Sequence, residues 1–218
     1  MKKYEFTGET KDFCGVELHR IRALKDFGDV AAGDLGGWIE KEENLSHDGG
    51  CWVFGDAWVF GDARVFGDAQ VSGNAQVSGD AWVSGNARVS GDAWVSGNAR
   101  VFGNAHVYGN ARVFGNGHVY GNAQVYGNAR VSGDARVAGD AEIKAPKDTF
   151  WISAIGSRYG TTTFFRCADG KVRVTCGCFY GDLDEFLAKV EKTHGDSKHG
   201  KVYKKLIELA KIQMEEDV

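Results

Sequence analysis

Two histidines, His106 and His118, stand twelve residues apart in a run of near-identical hexads, at a position filled elsewhere by Gln, Arg or Trp. Histidine serves as general base or metal ligand, but zinc needs three or four converging ligands, and no third histidine accompanies this pair. Cys176-Gly-Cys178, with Cys167, His194 and His199 nearby, has metal-ligand types, yet Cys-x-Cys lacks the usual spacer and no second pair follows. Strand alternation instead predicts both sulfurs on one face as buried, reduced thiols. No metal site and no cofactor is expected. The stretch "IGSRYGTTT" gathers Gly156, Ser157, Arg158 and Thr161 to Thr163, Thr162 among them, into one loop. Its guanidinium, hydroxyls and backbone donors can hold a phosphate, with a polar turn into a hairpin as the plainer alternative. Arg100, Arg112, Arg130 and Arg136 are mixed with Tyr108, Tyr120 and Tyr126 along the coil. Guanidiniums grip phosphates and phenol rings stack on bases. No nucleophile stands beside a base, so no catalytic residue is assigned.

What positions these side chains is one six-letter word, x-Val-y-Gly-[Asp/Asn]-Ala, repeated without insertion from Trp52 to Ile143. Ala-x-Val alternates small, variable and aliphatic, which predicts a short strand with one buried face. Gly-[Asp/Asn] is turn chemistry, because both tolerate the left-handed backbone region. A three-residue strand with a corner after it cannot bury its face alone and must stack on its own next coil. Three corners per coil make a triangular prism of eighteen residues per turn, about five coils tall.

Stacking by eighteen sorts the outward x residues into three faces. The first carries Trp52, Gln70, Arg88, His106, Gln124 and Glu142; the second Trp58, Gln76, Trp94, Arg112 and Arg130; the third Arg64, Trp82, Arg100, His118 and Arg136. Large outward aromatics mark interfaces, so Trp52, Trp58, Trp82 and Trp94 are expected to be covered by other copies of the chain.

Both ends of such a coil leave open sheet edges that must be covered. Upstream, residues 1–50 hold two short strands, "YEF" and "VELHRIRAL", and a decayed coil with Val30, Ile39 and Leu45 at irregular spacing. The repeat domain is set at 51–146, where "KAPKD" breaks the pattern. Residues 147–218 read as a small α+β domain: a hairpin around Asp169-Gly170, a helix ending at Gly195, and a second helix from about Lys201 to Met214. The fold class is mainly β.

Net charge of −4 gives no global pull toward double-stranded nucleic acid. The start "MKKYEFTGETKDF" lacks the apolar core of a signal peptide, and five scattered cysteines suit reduced thiols. A cytoplasmic protein without membrane partners is expected.

The hexads resemble the hexapeptide-repeat family of left-handed parallel β-helices, and the left hand is what that resemblance implies. The layout including "LKDFGDVAAGDLGGWIEKEENLS" and "IGSR…TTTF…CGCF…HG" resembles hexapeptide-repeat proteins of phages and prophages, labelled acyltransferase-like or polymer-forming. The resemblance implies a homotrimer of parallel prisms. It also raises acyl transfer, for which related enzymes use a coil histidine and often an inserted loop that this coil lacks. γ-Class carbonic anhydrases share the coil but need three histidines. The sequence therefore predicts a non-enzymatic, homotrimeric phage or prophage protein in the host cytoplasm, capturing an anionic or nucleotide-like small molecule, for instance a host defence signal. A structural or virion scaffold and an acyltransferase-like enzyme are the alternatives.

Overall fold

The computed structural model describes residues 2–214. Every hexad from Trp52–Val53 to Glu142–Ile143 forms a two-residue rung, and each rung pairs in parallel with the rung eighteen residues on, as Arg88↔His106, Trp94↔Arg112 and Arg100↔His118 show. The rungs build three faces, with the Val and Ala positions from Val53 to Ile143 buried between them. The hexad glycines take φ near +60° to +74°. They also stack: a Cβ on Gly79 would meet the Gly97 nitrogen at 2.9 Å, so both conformation and space demand glycine.

The prism has six turns rather than five. Trp38 and Ile39 pair with Trp58 and Val59, and Leu45 bridges Val65, so the decayed stretch is a true first coil. Its offset is twenty residues, two more than the repeat, and His47-Asp48-Gly49-Gly50 takes up the excess. That insertion hid the coil from a strict period of six.

Below it, β1 (Tyr4–Phe13) and β2 (Val16–Ala23) form an antiparallel hairpin turned by Cys14-Gly15, both at positive φ. The hairpin continues one prism face through β3 (Leu35–Ile39). Strand β1 is an open edge, blunted by a register irregularity between Phe6 and Thr10 and by its charged residues. Lys3 has no solvent exposure. Its ammonium donates to the Cys51 carbonyl at 2.8 Å and the Gly49 carbonyl at 3.3 Å, and lies 4.9 Å from the Phe27 ring. A buried ammonium is tolerated here because the irregular coil supplies its acceptors.

The far end is covered by an antiparallel four-stranded meander, β20 (Thr149–Ile155), β21 (Gly160–Arg166), β22 (Val172–Cys176) and β23 (Phe179–Asp182), where β4 to β19 are the rungs. Phe165 enters the prism core, and Thr163 and Thr175 bond to the Arg136 backbone at 3.0 and 2.8 Å. Helix α1 (Leu183–His194) starts at a reciprocal cap between Asp182 and Glu185 and stops at Gly195. Helix α2 (Lys198–Met214) begins three residues earlier than expected and buries Tyr203, Leu206, Ile207, Ala210 and Met214. Both helices pack on the meander around a second core.

Candidate functional site

In each rung, x and y flank the inward Val and therefore project from the same face, so every face carries two columns. The y side chain of one coil meets x of the next: Phe66 lies edge-on to Trp82 at 6.0 Å, Phe102 edge-on to His118 at 6.3 Å, and Tyr108 Oη donates to Gln124 Oε1 at 3.2 Å. Within y columns the rings stack flat, Phe102 on Tyr120 at 5.0 Å and Tyr108 on Tyr126 at 4.8 Å. Tyr126 has Lys144 on its other side and hydrogen-bonds Glu142. Stacking surface that could take a base is thus largely occupied by the ladder itself.

The sequence-predicted residues fall on separate surfaces. Arg112 and Arg130 share the face of Trp94 and Phe114, with the Arg112 guanidinium 5.7 Å from the Trp94 ring. Arg100, His118, Tyr120 and Arg136 share the face of Trp82, with Arg100 lying 4.7 Å over that indole. His106, Tyr108 and Tyr126 occupy the third. The coil arginines are exposed and, among the described residues, make no ion pair. A guanidinium beside an indole face still has N–H groups to offer an anion.

Four expectations need correction. Trp52 is only 1% exposed: Tyr4 and Phe27 pack edge-on against it at 6.1 and 5.3 Å. Trp58 is half-buried under Phe13, with Lys11 4.1 Å from its ring. The chain's own N-terminal segment covers both, leaving Trp82 (39% exposed) and Trp94 (41%) as the uncovered pair. Thr162 is fully buried, donating to Cys176 Sγ at 3.2 Å, so it leaves the loop site; Ser157 and Arg158 remain exposed in the β20–β21 turn. Cys176 and Cys178 do not share a strand face. Cys176 pairs with Phe179, so Gly177-Cys178 is a two-residue hairpin turn, with Cys178 exposed and Cys176 half-buried.

The sequence also carries a charge signal that the hexad pattern does not express. From Ala93 to Gly133 there is no Asp or Glu, while Arg100, Arg112, Arg130, His106 and His118 all fall inside. Wrapped at eighteen per turn, this makes an acid-free girdle of about two coils, with aromatic rings on every face. The corners explain how acids are excluded. Asn86 donates to Asn104 (3.0 Å), Asn104 to Asn122 (3.1 Å) and Asn122 to Asp140 (3.1 Å), and a second ladder runs Asn98 to Asn116 to Asp134. Asp accepts but cannot donate, so it fits only at a ladder's end. Asn104→Asp should break the bond to Asn122 and lower stability by about 1 kcal/mol, read from denaturant midpoints at constant slope. A cavity of ≈ 230 Å³ opens in the girdle between Trp94, Ser96, Arg112 and Phe114.

Burial, then Arg136 and Arg100, hold His118 below its usual pKa against the weaker pull of Asp134; burial, then Arg88, does the same for His106. Unfolded histidine takes up its proton near pH 6.5, before the folded groups do, so this stability is present above that pH and lost below it. The melting temperature should therefore fall as the pH drops below about 6.5, and less so in His118→Gln, by scanning calorimetry.

A prism of parallel rungs with this word is a β-solenoid of the hexapeptide-repeat type. The family model described as YdcK beta solenoid repeat matches residues 69–85, 75–91, 81–97, 93–109, 105–121 and 123–139. The "Uncharacterized acetyltransferase YdcK" of Escherichia coli (strain K12) is 39% identical over 62 residues, 25% of this chain and 19% of that protein's length. Among the described residues, no group of three or more His, Cys, Asp or Glu is placed to hold a metal, and no helix is long and apolar enough to cross a membrane.

Proposed function

We propose that the protein is a non-enzymatic binding protein whose girdle captures a phosphate-bearing, nucleotide-like small molecule, and that it works as a homotrimer. The acid-free belt from Ala93 to Gly133 carries this reading, because a chain of net charge −4 has cleared every carboxylate from two coils that keep three arginines. Trimerisation is supported by Trp82 and Trp94, exposed on two faces. A closed ring uses two different patches per protomer, so one face of each prism would meet the other face of the next. Grooves between prisms would then be lined by Arg100, Arg112 and the neighbouring rings. The resemblance to phage and prophage proteins motivates the setting we propose, capture of a host signal in the bacterial cytoplasm.

The test is calorimetric titration with ATP and a cyclic dinucleotide. Affinity should drop between about 0.01 M and 0.1 M salt, as the screening length falls from about 30 Å to about 10 Å. Arg100→Gln and Arg112→Gln should each lose about 1.5–3 kcal/mol, more than a factor of ten. An anion bound beside His118 favours its protonation, so binding should strengthen as the pH falls. Light scattering should return three times 23.7 kDa. No binding at low salt sinks the capture reading, and a monomer sinks the trimer.

A second reading is acyl transfer, suggested by the E. coli relative's name and by an imidazole held neutral at His118. It requires acetyl-CoA turnover that disappears in His118→Gln.

A further inference from the structure

The C-terminal region contains a second concavity, remote in sequence from the girdle. Two hairpin tips, the β20–β21 turn and the Gly177-Cys178 turn, lean over the second half of α1 and the start of α2 and enclose a cavity of ≈ 250 Å³. Its floor is apolar: Ile155, Phe179, Phe186 and Val190, with the Tyr203 ring edge-on to Phe186 at 5.6 Å. Its rim is cationic. Arg158 comes from one tip, Lys189 from α1, and His194 is stacked on Tyr203 at 5.6 Å. No carboxylate lines it, and Arg158 and Lys189 make no ion pair among the described residues. The partial negative charge at the end of α1 is answered by Lys192 and His194 in its last turn.

The backbone is committed to this shape. Gly156 and Tyr159 both sit at positive φ in the first tip, and a Cβ on Gly156 would overlap Tyr203 Oη at 1.9 Å. Tyr203 Oη in turn accepts from Cys176 Sγ at 3.8 Å. The first tip is thereby seated on α2, and Arg158, two residues beyond Gly156, is carried to the mouth. Unpaired like charges at one rim are a cost to the empty protein that an anion removes.

We infer that this pocket binds a small organic anion: an aromatic or short aliphatic body with one phosphate ester or carboxylate head. The body lies against Phe179, Phe186 and Val190, and the head sits between Arg158 and Lys189. A cavity of about 150 Å³ already takes benzene. The larger space here accommodates one ring with its head group at the mouth, but not a dinucleotide. The inference is independent of the girdle, using none of its residues.

Cys178 on the second tip is a built-in reporter, and exposed Cys14, in the turn of the N-terminal hairpin, is its internal control. The full chain is treated with a neutral maleimide with and without phenyl phosphate, and modification of each cysteine is followed by peptide mass spectrometry. At ten times its dissociation constant, phenyl phosphate should slow labelling of Cys178 about tenfold by mass action, leaving Cys14 unchanged. Arg158→Gln combined with Lys189→Gln, both exposed positions, should abolish the protection without altering the melting temperature. Arg100→Gln should leave the protection intact, which separates failure here from failure of the girdle. Equal protection of both cysteines, none at either, or protection that survives in the double variant overturns the inference.

Discussion

Val113→Asp should abolish cooperative folding of the prism at temperatures the wild-type chain survives. Val113 has no solvent exposure and stands in a column with Val95 and Val131, enclosed by three walls. The prism interior offers a carboxylate neither water nor a cation, so it is buried either charged or protonated and unpaired. The cost is about 4 kcal/mol or more. For a chain of this size that is a fall of roughly 10 °C or more in melting temperature. Arg112→Ala, one residue earlier, removes an exposed side chain and should stay within about 0.5 kcal/mol. Thermal denaturation of the two variants side by side decides the matter. Equal shifts would mean that the in-and-out assignment of the rung is wrong.

The second large effect is expected at Trp52. This residue occupies the same x position as Trp94, and by the repeat alone the two should behave alike. Trp52→Ala should cost about 3–5 kcal/mol, because it empties a site packed against Tyr4 and Phe27 and closely approached by Gly36, where an added Cβ would lie 2.7 Å from the indole. Trp94→Ala should cost about 1 kcal/mol or less in the isolated chain, since its indole is 41% exposed and makes one long bond, 3.4 Å, to Ser78 Oγ. Chemical denaturation supplies both numbers. The N-terminal hairpin should detach in Trp52→Ala, with faster amide exchange in residues 4–23 than in the coils above. A small, uniform effect at Trp52 would show that the hairpin is not seated on the prism. If Trp94→Ala instead proves costly and lowers the mass seen in light scattering, its indole lies in an interface between copies.

Period six was enough to settle the solenoid, because each hexad repeats the same local problem. Val must leave water, Gly alone tolerates the corner, and eighteen residues bring like upon like; the predicted columns are those of the structure. The Gly195 stop and the buried stripe of α2 were likewise legible, as they depend on neighbours within one turn or one helix face. What failed were statements that required knowing what lies across from a residue. Trp52 looked outward because x positions point outward, yet the chain folds its own hairpin over that coil. Strand alternation carried through Gly177 would set Cys176 and Cys178 on one face, but the φ of +60° at Gly177 turns the chain instead. Thr162 looked like a loop ligand until the meander put it on the inner side of β21. Composition and spacing thus determined the coil, its register and the charge-free corners of the girdle, since these follow from forces acting between equivalent positions of one repeat. Only the tertiary structure decided which outward aromatics stay exposed and that a pocket with a cationic rim forms over α1, because both result from segments distant in sequence that meet without any repeat to announce the contact.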